Sequence, residues 1–210
     1  MVRVKVCGFT DREPLEAAVV SGVDAVGAIV DVPVETPREL DPEHARALLE
    51  TVPPFVSTVM VTMAGSPSRV LDLIELVQPD VVQSHGGLKP DGIEALRSRI
   101  PVVAGVDPNV ENVEAYASAA DALLVDSRGE GGVGGTGRTH DWSKTRTLRE
   151  LDVPIVLAGG LTPENVPAAI ETVDPYAVDV SSGVESEPGR KDPEKIRRFV
   201  AATGRGGEPR

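Results

Sequence analysis

The sequence predicts an α/β protein built as one closed (βα)8 barrel, the TIM barrel. Three observations carry this. Short β-branched runs alternate with longer amphipathic runs eight times. Such alternation implies parallel strands joined by crossover helices. Two glycine-rich turns follow in series, Leu157-Ala158-Gly159-Gly160-Leu161-Thr162-Pro163-Glu164-Asn165 and Asp179-Val180-Ser181-Ser182-Gly183-Val184-Glu185. In a closed barrel they would be neighbours, which favours closure over an open sheet. The length of 210 residues allows roughly 26 residues per unit, a barrel with little decoration.

Strands are expected over residues 2–7, 25–30, 56–62, 81–84, 102–106, 122–126, 155–158 and 177–181. Helices are expected over 12–21, 42–51, 67–77, 91–99, 110–119, 143–151, 163–172 and 193–202. Asp41-Pro42, Ser66-Pro67, Thr162-Pro163 and Asp192-Pro193 each pair an N-cap residue with proline at the first helical position. The barrel is expected to fill residues 1–202, with a glycine-rich, disordered tail over 203–210. No linker or sequence repeat is evident beyond the βα rhythm.

Bulk properties narrow the function. Net charge is −12, so the basic footprint of a nucleic-acid binder is missing. Aromatics make up only 3% of the chain, so the core is aliphatic. The single cysteine, Cys7, rules out an intrachain disulfide and a cysteine-based zinc site. No apolar run approaches the ~18 residues of a membrane span, and nothing resembles a signal peptide. A soluble cytoplasmic protein with a small-molecule partner is expected, and no feature sets an oligomeric state.

Alternate residues of a barrel strand face the interior. In the first strand Val2, Val4 and Val6 suit the helix-facing side, so Arg3, Lys5 and Cys7 face inward. Cys7 comes last, at the carboxyl rim where barrel active sites sit. A lone cysteine is more often a buried packing residue. Lys5 on the same face would favour thiolate, and Gly8 opens space beside it. Asp126 closes the sixth strand after an apolar run, as a cap or as a functional carboxylate aimed across the mouth at Cys7. Asp179 and Ser181 share the inward face of the eighth strand, so Lys5 and Asp179 are placed to pair. Arg38 in the loop after the second strand is either solvated or a bidentate carboxylate ligand. His85 ends the fourth strand, two residues after Gln83. His44 and His140 are peripheral, and the three histidines lack metal-ligand spacing.

Gly132-Val133-Gly134-Gly135-Thr136-Gly137 fits a GxGxxG pattern, but five residues separate it from the sixth strand and no helix follows directly. A lid over the site is the better reading. The two glycine turns read as a phosphate cradle, since glycine lets backbone N–H groups approach an anion and a helix N-terminus beyond adds positive charge.

Together these residues resemble the phosphoribosylanthranilate isomerase family. The matching pieces are Lys5-Val6-Cys7-Gly8, Thr36-Pro37-Arg38, Gln83-Ser84-His85-Gly86, Asp126 with Gly134-Gly135-Thr136-Gly137 and Asp141-Trp142, the two glycine turns, and Pro188-Gly189-Arg190-Lys191-Asp192. They lie in family order over nearly the whole chain. The resemblance implies an Amadori rearrangement of N-(5-phosphoribosyl)anthranilate to 1-(2-carboxyphenylamino)-1-deoxyribulose 5-phosphate in tryptophan biosynthesis. It implies Asp126 as general acid, Cys7 as general base and Arg38 as ligand of the anthranilate carboxylate. It implies further substrate contacts from Gln83, His85, Gly135, Gly159, Gly160, Ser181, Ser182 and Gly183, with Lys5 and Asp179 in support. No metal or organic cofactor is implied. Ser84 in place of Leu, Thr36 in place of Ser, and Asp31 with no aromatic nearby depart from the family pattern at the anthranilate pocket. A related histidine-pathway isomerase is the nearest alternative, but it has Asp at the end of its first strand. A non-catalytic phosphosugar-binding barrel would need neither Cys7 nor Asp126.

Overall fold

In the computed structural model, residues 1–126 and 142–205 are described. Eight parallel strands close into one barrel in sequence order. They are β1 (Arg3–Cys7), β2 (Ala25–Ile29), β3 (Ser57–Thr62), β4 (Val81–His85), β5 (Val102–Val106), β6 (Ala122–Asp126), β7 (Ile155–Ala158) and β8 (Ala177–Val180). Closure is made by β1 against β8, with Lys5 in register with Asp179. The helices are α1 (Arg12–Val20), α2 (Pro42–Leu49), α3 (Pro67–Val77), α4 (Pro90–Arg97), α5 (Val113–Ala119), α6 (Trp142–Thr147), α7 (Val166–Val173) and α8 (Pro193–Val200). Among the described residues no helix is long and apolar enough to cross a membrane.

The period of two in the strands divides the core. Val4, Val6, Val26, Met60, Val82, Leu123, Val125, Leu157 and Val178 pack with the helices in one large cluster. The opposite faces fill the interior with two small clusters, Leu124, Val156, Ala158 and Ala177 on one side and Cys7, Val59 and Val61 on the other. Arg3, expected inward, sits exposed at the amino-end opening, its guanidinium 4.2 Å from the Tyr176 ring centroid.

All four expected cap residues accept a backbone N–H, and three of them stand directly before a helix. Asp41 Oδ1 accepts from His44 N at 2.9 Å, Ser66 Oγ from Arg69 N at 3.3 Å, and Asp192 Oδ1 from Glu194 N at 2.9 Å. The fourth, Thr162 Oγ1, accepts from Glu164 N at 3.3 Å, but it opens a turn and not yet the helix. Thr162 O accepts from both Asn165 N and Val166 N, so residues 163–165 make a turn and α7 begins at Val166. A second correction concerns the segment after β8. No helix follows directly; a single 3-10 turn, Ser182–Val184, leads into a small antiparallel hairpin of β9 (Glu185–Glu187) and β10 (Arg190–Lys191). After α8 a wide turn spans Ala201–Arg205 with a kink at Gly204 (φ 80°), and Thr203 is buried with its hydroxyl bonded to Val200 O at 2.7 Å. Residues 206–210 lie outside the described residues.

The amino end carries a repeat that the sequence reading missed. Asp24, Asp80 and Asp121 each stand one residue before an even-numbered strand. Each donates its N–H to a carbonyl of the preceding strand (Val4, Thr58 and Val102, at 2.8, 3.1 and 2.9 Å). Each carboxylate accepts the N–H of that same residue, at 2.7, 2.8 and 2.9 Å. In the fourth pair of units Tyr176 holds the equivalent place, and its N–H bonds Ile155 O at 2.9 Å.

Candidate active site

The carboxyl ends of the strands open into a cavity of about 290 Å³. Cys7, Arg38, Gln83, His85, Asp126, Asp179, both glycine turns and an apolar wall of Ile29, Val32, Val34, Val61 and Met63 line it. A larger and shallower groove of about 400 Å³, lined by Arg97, Glu114 and Asp152 among others, lies at the opposite end and holds none of the expected site residues.

Cys7 ends β1 and is 5% exposed. Its sulfur needs the room that Gly27 leaves beside it, where a Cβ would lie 3.0 Å from Sγ. Burial pushes the Cys7 thiol above its ordinary value; Lys5 and Lys191 pull it down, Asp179 pushes it up, and the balance is upward. Lys5 Nζ bonds Asp179 Oδ1 at 2.9 Å, both side chains buried. Burial alone would lower the Lys5 ammonium, but Asp179 and Cys7 outweigh it and its value rises. The expected Lys5–Asp179 pair is thus present, one layer below Cys7.

Asp126 ends β6, three strands round from β1, and lines the same cavity half-buried. His85 ends β4 and fits only because Gly105 lacks a side chain, a Cβ there falling 2.6 Å from His85 Nδ1. Gln83 is 3% exposed, and its Oε1 has no hydrogen-bond partner. Such an orphaned acceptor is costly to bury and suits a donor arriving from the cavity. Gly135 lies outside the described residues, as does the expected lid.

Gly159 and Gly160 take φ of 92° and 64°, which side chains rarely adopt. Gly183 is glycine for a further reason. A Cβ there would fall 1.8 Å from Leu161 O, so the two turns touch. Ser181, Ser182 and Gly183 all border the cavity.

Arg38 reaches the cavity rim, but its guanidinium is also held by the chain itself. Nε and Nη2 donate to Glu185 Oε1 and Oε2 at 2.8 and 2.6 Å. Lys191 Nζ bonds the same Oε1 at 2.6 Å. Burial works to raise the Glu185 carboxyl, but hydrogen bonds from Arg38 and Lys191 win and hold it at about 2. Burial lowers the Lys191 ammonium against the pull of Glu185. Neither Glu185 nor Lys191 was singled out from sequence. The available signal was two charges spaced to share one face of a short polar segment after the second glycine turn.

Among the described residues no group of three or more His, Cys, Asp or Glu is placed to hold a metal ion. Chemically, the arrangement offers a thiol near a cation, a carboxyl across one cavity, two glycine turns and an arginine at the rim.

The comparisons agree with the barrel fold. The family model for N-(5'-phosphoribosyl)anthranilate (PRA) isomerase matches residues 4–202. The N-(5'-phosphoribosyl)anthranilate isomerase of Haloarcula marismortui is 54% identical over 203 residues, 95% of each chain. The crystal structure of phosphoribosyl anthranilate isomerase from Thermotoga maritima is similar at a TM-score of 0.87 and 40% identity, over 97% of this chain and 99% of that one. A crystal structure of phosphoribosyl anthranilate isomerase with reduced 1-(o-carboxyphenylamino)-1-deoxyribulose 5-phosphate is similar at a TM-score of 0.83 and 38% identity, over the same shares. With a family model spanning nearly all of its length, this chain belongs to the N-(5'-phosphoribosyl)anthranilate isomerase family.

Proposed function

We propose that the protein catalyses the Amadori rearrangement of N-(5'-phosphoribosyl)anthranilate to 1-(2-carboxyphenylamino)-1-deoxyribulose 5-phosphate, a step of tryptophan biosynthesis. The observation that carries this is the placement of Cys7 and Asp126 on separate strands around one cavity that also holds both glycine turns and Arg38. Asp126 gives its proton to the ribose ring oxygen. The C1′–O bond breaks as the substrate nitrogen donates its lone pair, leaving an iminium ion. The Cys7 thiolate then takes the C2′ proton. The C–H electrons form the C1′–C2′ double bond, and the iminium electrons return to nitrogen, giving an enolamine. Tautomerisation of the enolamine to the ketone completes the isomerisation. The substrate's own nitrogen is the electron sink, so no cofactor enters.

The environment of Cys7 suits this order. Its thiol is harder to ionise than a free one, chiefly because of burial. The iminium ion adds a positive charge next to the sulfur just when thiolate is required, and Lys5 adds another from below. Backbone N–H groups at Gly159, Gly160, Ser182 and Gly183 hold the phosphate without a direct lysine contact. Arg38 meets the anthranilate carboxylate, and Gln83 Oε1 accepts from a substrate hydroxyl or N–H group. His85 borders the same space. The phosphate and the carboxylate both suit a locally positive rim in a chain of charge −12.

The test is turnover of N-(5'-phosphoribosyl)anthranilate, run beside the aminosugar phosphate of the histidine-pathway isomerase. Turnover of the first alone is expected. Turnover of the second alone, or of neither by folded protein, overturns the reading.

A further inference from the structure

Glu185 is a saturated hub. Its Oε1 accepts from Arg38 Nε at 2.8 Å and Lys191 Nζ at 2.6 Å. Its Oε2 accepts from Arg38 Nη2 at 2.6 Å and Gly189 N at 3.3 Å. A carboxylate offers about four acceptor sites, so every one is filled. Lys191 is saturated too. Its three N–H bonds meet Glu185 Oε1, Ser181 O at 3.2 Å and Ser181 Oγ at 3.1 Å. It therefore has no proton left for a phosphate.

The segment that carries the hub is itself tied down. Gly189 has φ 84°, and a Cβ there would lie 2.9 Å from Pro37 O, so the hairpin seats against the residue preceding Arg38. Thr10 Oγ1 donates to Gly189 O at 3.2 Å, and Lys195 Nζ to Glu185 O at 2.7 Å. Two pieces of chain 147 residues apart thus meet at one carboxylate, and Thr10 and Lys195 hold the hairpin that carries it through backbone carbonyls. Stability is a weak reason for such a buried network, since apolar residues would pack there as well. Its two ends give a better one. Arg38 is at one end and Ser181 of the second glycine turn at the other.

We propose that Glu185 and Lys191 are positioning residues that lock Arg38 and Ser181 into one rigid unit, so that the site selects substrates by the spacing between a carboxylate and a phosphate. This rests on reading Arg38 as the carboxylate ligand and the turn at Ser181 as part of the phosphate site. With Nε and Nη2 tied to Glu185, the guanidinium plane is fixed. Ser181 is fixed at both its carbonyl and its hydroxyl, which sets the direction of the N–H groups that follow it.

The test measures kcat and KM for N-(5'-phosphoribosyl)anthranilate, and the inhibition constants of free anthranilate and of inorganic phosphate. The variants are Arg38→Ala, Glu185→Gln and the double variant Glu185→Gln/Lys191→Met. Glu185→Gln should raise KM and the anthranilate constant together by about 10–100-fold, the scale of a misplaced binding group, with a smaller fall in kcat. The double variant removes one charge of each sign, so it carries the test if Glu185→Gln does not fold. It should raise the phosphate constant as well, because Ser181 loses its anchor. A lowered melting temperature with unchanged inhibition constants would reduce the network to a structural role and overturn the proposal. Anthranilate binding lost in Arg38→Ala but kept in both other variants would do the same while leaving the carboxylate reading intact. Anthranilate binding kept in Arg38→Ala would instead bring down the reading beneath it.

Discussion

The two ends of the barrel use the same residue type for opposite ends. At the amino end, Asp24, Asp80 and Asp121 turn their carboxylates back on the chain and accept backbone N–H groups. At the carboxyl end, Asp179 and Glu185 turn theirs on lysine and arginine side chains, and Asp126 faces the cavity. A carboxylate bonded to backbone closes a strand junction, and at Asp121 the remaining oxygen holds Arg97 of the chain itself at 2.8 Å, away from the cavity. A carboxylate bonded to cations sets the charge of the space beside it. In barrels of this kind chemistry sits at the carboxyl end and stability at the amino end, and here one side chain type marks both.

Substitutions at the two ends should therefore fail differently. The largest effect is expected from the proposed acid and base. Asp126→Asn should lower kcat by ~10²–10⁴, the usual worth of general acid–base assistance, with the melting temperature little changed. Cys7→Ser should be close to inactive, since a hydroxyl is a far weaker base at neutral pH, while Cys7→Asp should keep part of the activity. Rates measured on cooperatively folded protein check both. A Cys7→Ser enzyme within a few-fold of wild type would return Cys7 to a packing role.

Next in size is the phosphate end. Inorganic phosphate should compete with substrate, and Gly160→Val should raise KM by about tenfold or more, equivalent to ~1.4 kcal/mol. Gly183→Val is a poorer probe than sequence suggests, because its Cβ would strike Leu161 O whether or not phosphate binds. Failure of phosphate to compete would remove the cradle.

How much of this was legible follows from the range of each signal. The strands could be read within a residue or so because β-branched runs and the period of two are local. Cys7 and Asp126 stand at ends of such runs, so their place at the rim came with the strands, and Arg38 lies in the loop that leaves the second strand at the same end. The Lys5–Asp179 pair could be anticipated because β1 and β8 must meet for the barrel to close. Thr162-Pro163 placed the helix start three residues early because the cap-and-proline pattern also suits a turn, and Thr162 Oγ1 accepts from Glu164 N at that turn. Glu185 was hidden for another reason. Its partner Arg38 lies 147 residues away, and nothing local separates a saturated buried carboxylate from a solvated one. The Asp24, Asp80 and Asp121 repeat was written in sequence, one residue before alternate strands, but it is a single position in a unit of two βα pairs.

Acidity sharpens the contrast further. The Cys7 thiol is held above its ordinary value by burial. The thiolate fraction should keep rising with pH beyond neutrality by up to about tenfold per unit while the thiol is the form present, and kcat/KM should rise with it for as long as Asp126 keeps the proton it donates. Substitution to Asp should flatten that rise, because a carboxylate is already ionised. Glu185 behaves oppositely. A folded value of about 2 lies below the ordinary 4.5, so its contribution is complete above that ordinary value and fades only as pH falls toward 2. Binding should therefore hold at pH 5 while turnover falls. A pH profile of kcat/KM for wild type and Cys7→Asp checks this, and identical profiles would detach the thiol from the rate.

The smallest effect on activity is expected at the amino end, and it is the one that tests the comparison itself. Asp80 Oδ2 accepts from both Thr58 N and Thr58 Oγ1 at 2.8 Å, and the Asp80 N–H returns to Thr58. Asp80→Ala strips an acceptor from a strand N–H and a hydroxyl. Leaving such groups unpaired costs about 1–3 kcal/mol. In a barrel of this size that lowers the melting temperature by roughly 2–4 °C per kcal/mol. Asp24→Ala should fall in the same range, because Val4 N loses its acceptor in the same way. Asp80→Asn should be milder, since its amide oxygen can still accept from Thr58 N. None of these variants touches the cavity, so kcat and KM should remain those of wild type at 25 °C. Thermal melts paired with kinetics decide it. A change in KM without loss of stability would mean that the two ends are coupled, and that the division drawn from their hydrogen bonds is wrong.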